Sequence, residues 1–161
     1  MSKIWIIGNT NEKKSINHLI HEKDTVIRFN SPNSTCSIKP TILFMSTAYS
    51  FLKFLFTRPS EVNWDAMFSA KSIIYRWPIK SVLLNKPESL SFLHRLSFIV
   101  YFYRLSKLKK LSKSTLFFPR KDFLKYQKEL QMSAQPSSGI LAILWCLEHR
   151  RENKIFVHNF T

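Results

Sequence analysis

The chain has 161 residues, 45% of them hydrophobic, and a formal net charge of +15 at pH 7 from 25 Lys and Arg against 10 Asp and Glu. That length and apolar content suffice for one core. With two glycines, no Gly-x-Gly-x-x-Gly and no Walker lysine motif, the sequence argues against NAD-type and P-loop cofactors.

In chain order, an apolar strand over 3–8 breaks at Gly8 into a polar turn carrying Asn9, Thr10 and Asn11. Such a break sets amides and backbone N–H groups at a strand's carboxyl end, where open α/β sheets bind nucleotides. A helix over 12–21 and a strand over 25–30, closing on Asn30, come next. The loop 31–40, with two prolines, is expected at a pocket rim or as a plain crossing loop. Then follow a strand over 41–46, helices over 47–56 and 62–68, a strand over 71–77 and a long helix over 88–111. The last elements are a strand over 115–118, helices over 120–131 and 137–150, and a strand over 154–160. The helix over 137–150 opens with Pro136-Ser137-Ser138-Gly139, leaving first-turn N–H groups free to cradle a phosphate. This alternation predicts a single α/β, Rossmann-like domain over 1–161, a mostly parallel sheet flanked by helices.

Charge is concentrated between Arg95 and Lys128, where ten Lys or Arg meet one acid, Asp122. Leu90, Leu93, Leu96, Leu105, Leu108 and Leu111 recur there at helical spacing, with Arg104, Lys107, Lys109, Lys110 and Lys113 interleaved. The pattern suits a helix lying in a membrane interface, so residues 90–128 are expected to meet an anionic membrane surface. The apolar run over 96–103 is far shorter than the roughly 20 residues a span needs. The competing reading puts the leucines in the core and the lysines in solvent.

The stretch Ile6 to Asn30, with its Gly-Asn turn, Asp24 and Val26-Ile27-Arg28-Phe29-Asn30, resembles the large sialyl motif of the animal-type sialyltransferases, glycosyltransferase family twenty-nine. The stretch from Gln135-Pro136-Ser137-Ser138-Gly139 through Lys154-Ile155-Phe156-Val157-His158-Asn159-Phe160 resembles that family's small motif. The bacterial sialyltransferases of lipooligosaccharide synthesis are a more distant second resemblance. The likeness covers roughly the first thirty and last twenty-five residues, and the ordered pair is more specific than either motif alone.

The resemblance implies a GT-A-like domain that transfers sialic acid from CMP-sialic acid to a saccharide hydroxyl with inversion, without metal or further cofactor. It places Asn9 and Asn30 on the CMP part of the donor and Ser137, Ser138 and Gly139 on cytidine and phosphate. With Thr10 from the same turn, these form the expected binding set. The family's general base is a histidine downstream of the small motif, and no residue before Thr161 matches it. Among five histidines, His18, His21, His94 and His149 read as solvated or capping. His158, at the carboxyl end of the last strand, is the one catalytic candidate.

Cys36 and Cys146 lack metal-ligand spacing and predict free thiols in a reducing compartment. Met1 to Gly8 reads as a strand and predicts no signal peptide. The expected setting is therefore a bacterial cytoplasmic enzyme, peripheral on the inner membrane. Its acceptor would be an oligosaccharide or lipid-linked glycan of lipooligosaccharide or capsule, and no nucleic-acid partner is expected. Two other classes stay open: a catalytically incomplete CMP-sugar-binding fragment or pseudoenzyme, cut before the base-bearing segment, and a basic membrane- or nucleic-acid-binding module.

Overall fold

Short runs rich in Ile, Phe and Val form six strands in the computed structural model, which describes residues 2–9, 16–32, 38–46, 49–76, 96, 99–101, 103–104, 115–131 and 137–160. The strands are β1 (Lys3–Ile7), β2 (Thr25–Phe29), β3 (Ile42–Met45), β4 (Ser72–Tyr75), β5 (Thr115–Phe117) and β6 (Lys154–His158). They form one sheet in the order β5-β4-β3-β2-β1-β6. Every pairing is parallel, with Ile4 opposite Thr25 on one side and Ile155 on the other. The inner strands are apolar on successive residues because both of their faces are covered.

Among the described residues the cover comes chiefly from α1 (Tyr49–Thr57), α2 (Trp64–Ser69), α3 (Arg120–Glu129) and α4 (Ser138–His149). Strand alternation sends Ile4, Ile6, Ile27, Phe29, Phe44 and Ile74 toward α3 and α4, where they meet Phe123, Tyr126, Leu141 and Cys146. Leu43, Met45, Ile73 and Tyr75 point the other way, against Leu52 and Leu55 of α1 and Met67 of α2. Burial pushes the Cys146 thiol up to about 11, so it packs as a small hydrophobe. Glu148 of α4 accepts from Lys125 Nζ at 2.6 Å and Tyr126 Oη at 2.5 Å on α3. These donors hold its carboxyl down at about 2, and they clamp the two helices side by side.

The expected strands all form, and the sheet is wholly parallel. The expected helix over 12–21 is represented among the described residues by a 3-10 turn at Asn17–Leu19. The long helix over 88–111 falls mostly outside the described residues, although 96, 99–101, 103 and 104 are helical. Thr10, Cys36 and Pro136 also lie outside them. Among the described residues no helix is long and apolar enough to cross a membrane.

Asp24 is buried just before β2 and fastens the sheet's centre. Its carboxylate accepts from Lys3 N (3.0 Å), Trp5 Nε1 (3.2 Å) and His21 N (3.0 Å). Burial alone would raise its pKa, but these three donors outweigh that and hold it below the ordinary 3.8. A depressed carboxylate stabilises the fold at pH above its unfolded value, and that contribution fades as pH falls through the folded value. Asp24→Ala strands three donors and is expected to lower stability by about 3 kcal/mol at neutral pH, read from urea unfolding. The deficit relative to wild type should shrink on acidification below pH 3.8. An unchanged urea midpoint would show that the carboxylate fastens nothing.

Candidate functional site

From β1 the chain runs outward strand by strand to β5, and β6 then returns to the other side of β1. The carboxyl ends of β1 and β6 therefore frame the sheet's topological switch point, the crevice in which open α/β sheets hold ligands. Gly8 leaves β1 here and extends the ladder by donating from its N–H to His158 O at 2.9 Å. A Cβ on Gly8 would lie 1.9 Å from Asn159 O, so the two backbones approach this closely only because the residue is glycine. Both β2 and β6 are followed by an asparagine in the left-handed region, Asn30 at φ 52° and Asn159 at φ 56°. Asparagine is one of the few side chains that adopts this conformation readily.

A cleft of about 500 Å³ opens across these strand ends. Gly8, Asn9 and Asn30 line it from β1 and β2, Ser46 and Arg76 from the ends of β3 and β4, and Asn159 and Phe160 from β6. Ser137, Ser138 and Gly139 close it from the start of α4. Phe160 packs edge-on against Phe29, with centroids 5.6 Å apart and planes at 78°. Its ring occupies the space that a Cβ on Gly139 would need, 2.3 Å from Cε1.

The amides do structural work in this cleft. Asn9 Nδ2 donates to Phe29 O at 2.7 Å and Ser31 O at 3.3 Å, holding the exit of β2 against β1. Asn30 Oδ1 accepts from Ser46 N at 2.7 Å, fastening β2 to the end of β3. Ser137 Oγ accepts from Ile140 N at 3.3 Å and caps α4, while the N–H groups of Ser138 and Gly139 belong to the first turn, which has no intrahelical acceptors. Arg76 donates its backbone N–H to Met45 O at 3.0 Å, and its guanidinium carbon stands 5.9 Å from the Phe123 ring centroid. Burial lowers its pKa, yet an arginine keeps its charge at neutral pH.

Of the expected binding set, Asn9, Asn30, Ser137, Ser138 and Gly139 come together in this cleft. Arg76, Ser46 and Asn159 join them and were not singled out from the sequence. Their signal was positional: each is the first or second residue past the end of an apolar parallel strand. His158 is not among the lining residues. It pairs with Ile7, and strand alternation puts both side chains on the face away from α4. Its Nε2 is enclosed with no hydrogen-bond partner among the described residues.

The lining thus offers amides, hydroxyls, a helix start and one guanidinium, and no Asp or Glu among the described residues. Such a surface favours an anion that also carries hydroxyls. A second groove, of about 780 Å³, shares Asn9 with the cleft and continues past Ser31 to Asn63, Trp64 and Asp65. Trp64 is fixed there by its Nε1–H to Pro59 O at 3.1 Å and by stacking on Phe68 at 5.5 Å. Ser31 Oγ accepts from Asn63 N at 2.8 Å and joins the groove's two walls. Among the described residues no three His, Cys, Asp or Glu group as metal ligands would.

Compared with known proteins, the chain matches no family model, no curated protein and no solved structure.

Proposed function

We propose that the chain binds a CMP-sugar and acts as a sialyltransferase-type glycosyltransferase on a Rossmann-like, GT-A-like domain. The observation that carries this reading is the meeting of the two motif segments, Gly8-Asn9 with Asn30 and Ser137-Ser138-Gly139, in one cleft at the switch point. On this reading the α4 start and Arg76 take the donor's phosphate and carboxylate, and the asparagines shape the cleft around ribose and base. The adjoining groove, with a fixed indole beside an amide and a carboxylate, suits the apolar face and hydroxyls of a neutral saccharide acceptor.

A second reading, CMP-sugar binding without efficient turnover, is favoured by one observation: no titratable base lines the cleft among the described residues. Lacking a base at the acceptor hydroxyl, the chain would forgo a proton-transfer contribution of about 10²–10⁴-fold.

Calorimetry separates these readings from their absence. CMP is expected to bind in preference to AMP and UMP, and Asn30→Ala to weaken it by about 1–3 kcal/mol through loss of the amide that sets the cleft wall. Equal affinity for all three nucleotides, or none, sinks the donor reading. Transfer of sialic acid to lactose at an ordinary enzymatic rate would remove the second reading and point to a base supplied from elsewhere in the chain.

A further inference from the structure

We infer that the helical residues Leu96, Ile99, Val100 and Tyr103 dock the protein on an anionic lipid surface as an outward-facing stripe. Leu96, Ile99 and Val100 are helical and 44%, 45% and 49% exposed. Their i, i+3, i+4 spacing puts them on one helix face. Tyr103 continues that face at i+7 and is 59% exposed. The body of the protein holds the opposite side: the Tyr101 ring stacks on Phe56 of α1, with centroids 5.9 Å apart and planes 3° from parallel. Tyr101 packs there against the cluster formed by α1, α2, β3 and β4. A surface helix of a globular domain normally turns its apolar stripe inward. This one is anchored by an aromatic and turns aliphatic side chains to solvent, the signature of an interaction face.

Charge identifies the occupant. Arg104, beside the stripe, is exposed, and the sequence from Arg95 to Lys113 carries six Lys or Arg and no Asp or Glu. A second copy of the chain would bring two bodies of charge +15 together, whereas an anionic leaflet attracts them. Aliphatic side chains enter the acyl boundary while a tyrosine rests at headgroup level and Lys or Arg reach the phosphates, so the helix lies in the interface plane. The inference stands apart from the donor cleft, since it uses none of its residues.

The test is sedimentation of the full chain with vesicles of phosphatidylcholine, with and without phosphatidylglycerol, at low and high salt. Partitioning should be at least about tenfold stronger on the anionic vesicles and fall as salt shortens the reach of charge. Ile99→Ser combined with Val100→Ser should lower it about tenfold, with the urea midpoint and CMP affinity unchanged. Lys107→Glu, Lys109→Glu and Lys110→Glu together should release the protein to a similar degree. Should the serine variant fail to fold, the charge variant and the salt series on the native chain decide. Three results would overturn the inference: no partitioning of the native chain, partitioning that salt and both variants leave untouched, or a lipid-free dimer dissolved by the serine variant, which would assign the stripe to a second copy.

Discussion

Gly8→Ala is expected to be the most damaging single-methyl change in the molecule, lowering stability by about 3 kcal/mol and abolishing nucleotide binding with it. The added Cβ would sit 1.9 Å from Asn159 O, a contact no rotamer relieves because the backbone fixes the Cβ and its partner is a backbone oxygen. To make room β6 must slide away from β1, which breaks the Gly8 N to His158 O bond and carries Asn159 and Phe160 out of the cleft. Gly139→Ala is the matched control. There the obstacle is the Phe160 ring, which can swing outward, so the fold should survive while nucleotide affinity falls. Urea unfolding and CMP titration on both variants give the answer. Equal stability losses at the two glycines would mean that the approach of β1 and β6 is not what glycine permits at position 8.

Arg76→Ala is expected to weaken CMP binding by about 2–3 kcal/mol, roughly 30- to 150-fold, the range for losing a charge-assisted contact in a sheltered site. Arg76 is the one cation among the described residues lining the cleft. Its guanidinium carbon stands 5.9 Å from the Phe123 ring centroid, within cation–π range. Arg76→Lys should recover only part of the affinity, since an ammonium lacks the planar fork. Cytidine, which carries no phosphate, supplies the control: its affinity should be nearly the same in Arg76→Ala and wild type. An equal loss for cytidine and CMP would reduce Arg76 to a packing residue of β4 and α3.

The strands were legible because each is a compact apolar run bounded by polar or turn residues, and a parallel sheet buried on both faces leaves that trace. Gly8, Asn9, Asn30 and Ser137 to Gly139 were legible as two local patterns, each a strand exit or a helix start with its own chemistry. Arg76, Ser46 and Asn159 were not, because a polar residue after a strand gains meaning only once the strand order is known. In the order β5-β4-β3-β2-β1-β6, all of these ends fall on one edge of the sheet. His158 is the reverse case. Its position at a strand end was right, but the two-residue alternation set by its pairing with Ile7 turns the imidazole away from the cleft. Between residues 12 and 21 the polar run read as a helix, and its described part is a single 3-10 turn.

The pairing of β1 with β6 also dictates when during synthesis the cleft can exist. Asn153 Nδ2 donates to Ser2 O at 2.9 Å across 151 positions of sequence, and Asn159 and Phe160 are synthesised only after β1 to β5. A nascent chain can stack β1 to β5 in translation order, but β1 then remains an open parallel edge carrying Ile4, Trp5, Ile6 and Ile7, the kind of surface that recruits other chains. Nucleotide cannot rescue that intermediate by mass action, since a ligand stabilises only the form that already holds its site. The strand that completes the cleft is also the one that covers the apolar edge of β1, so this molecule shields that edge and becomes competent for its ligand in the same event.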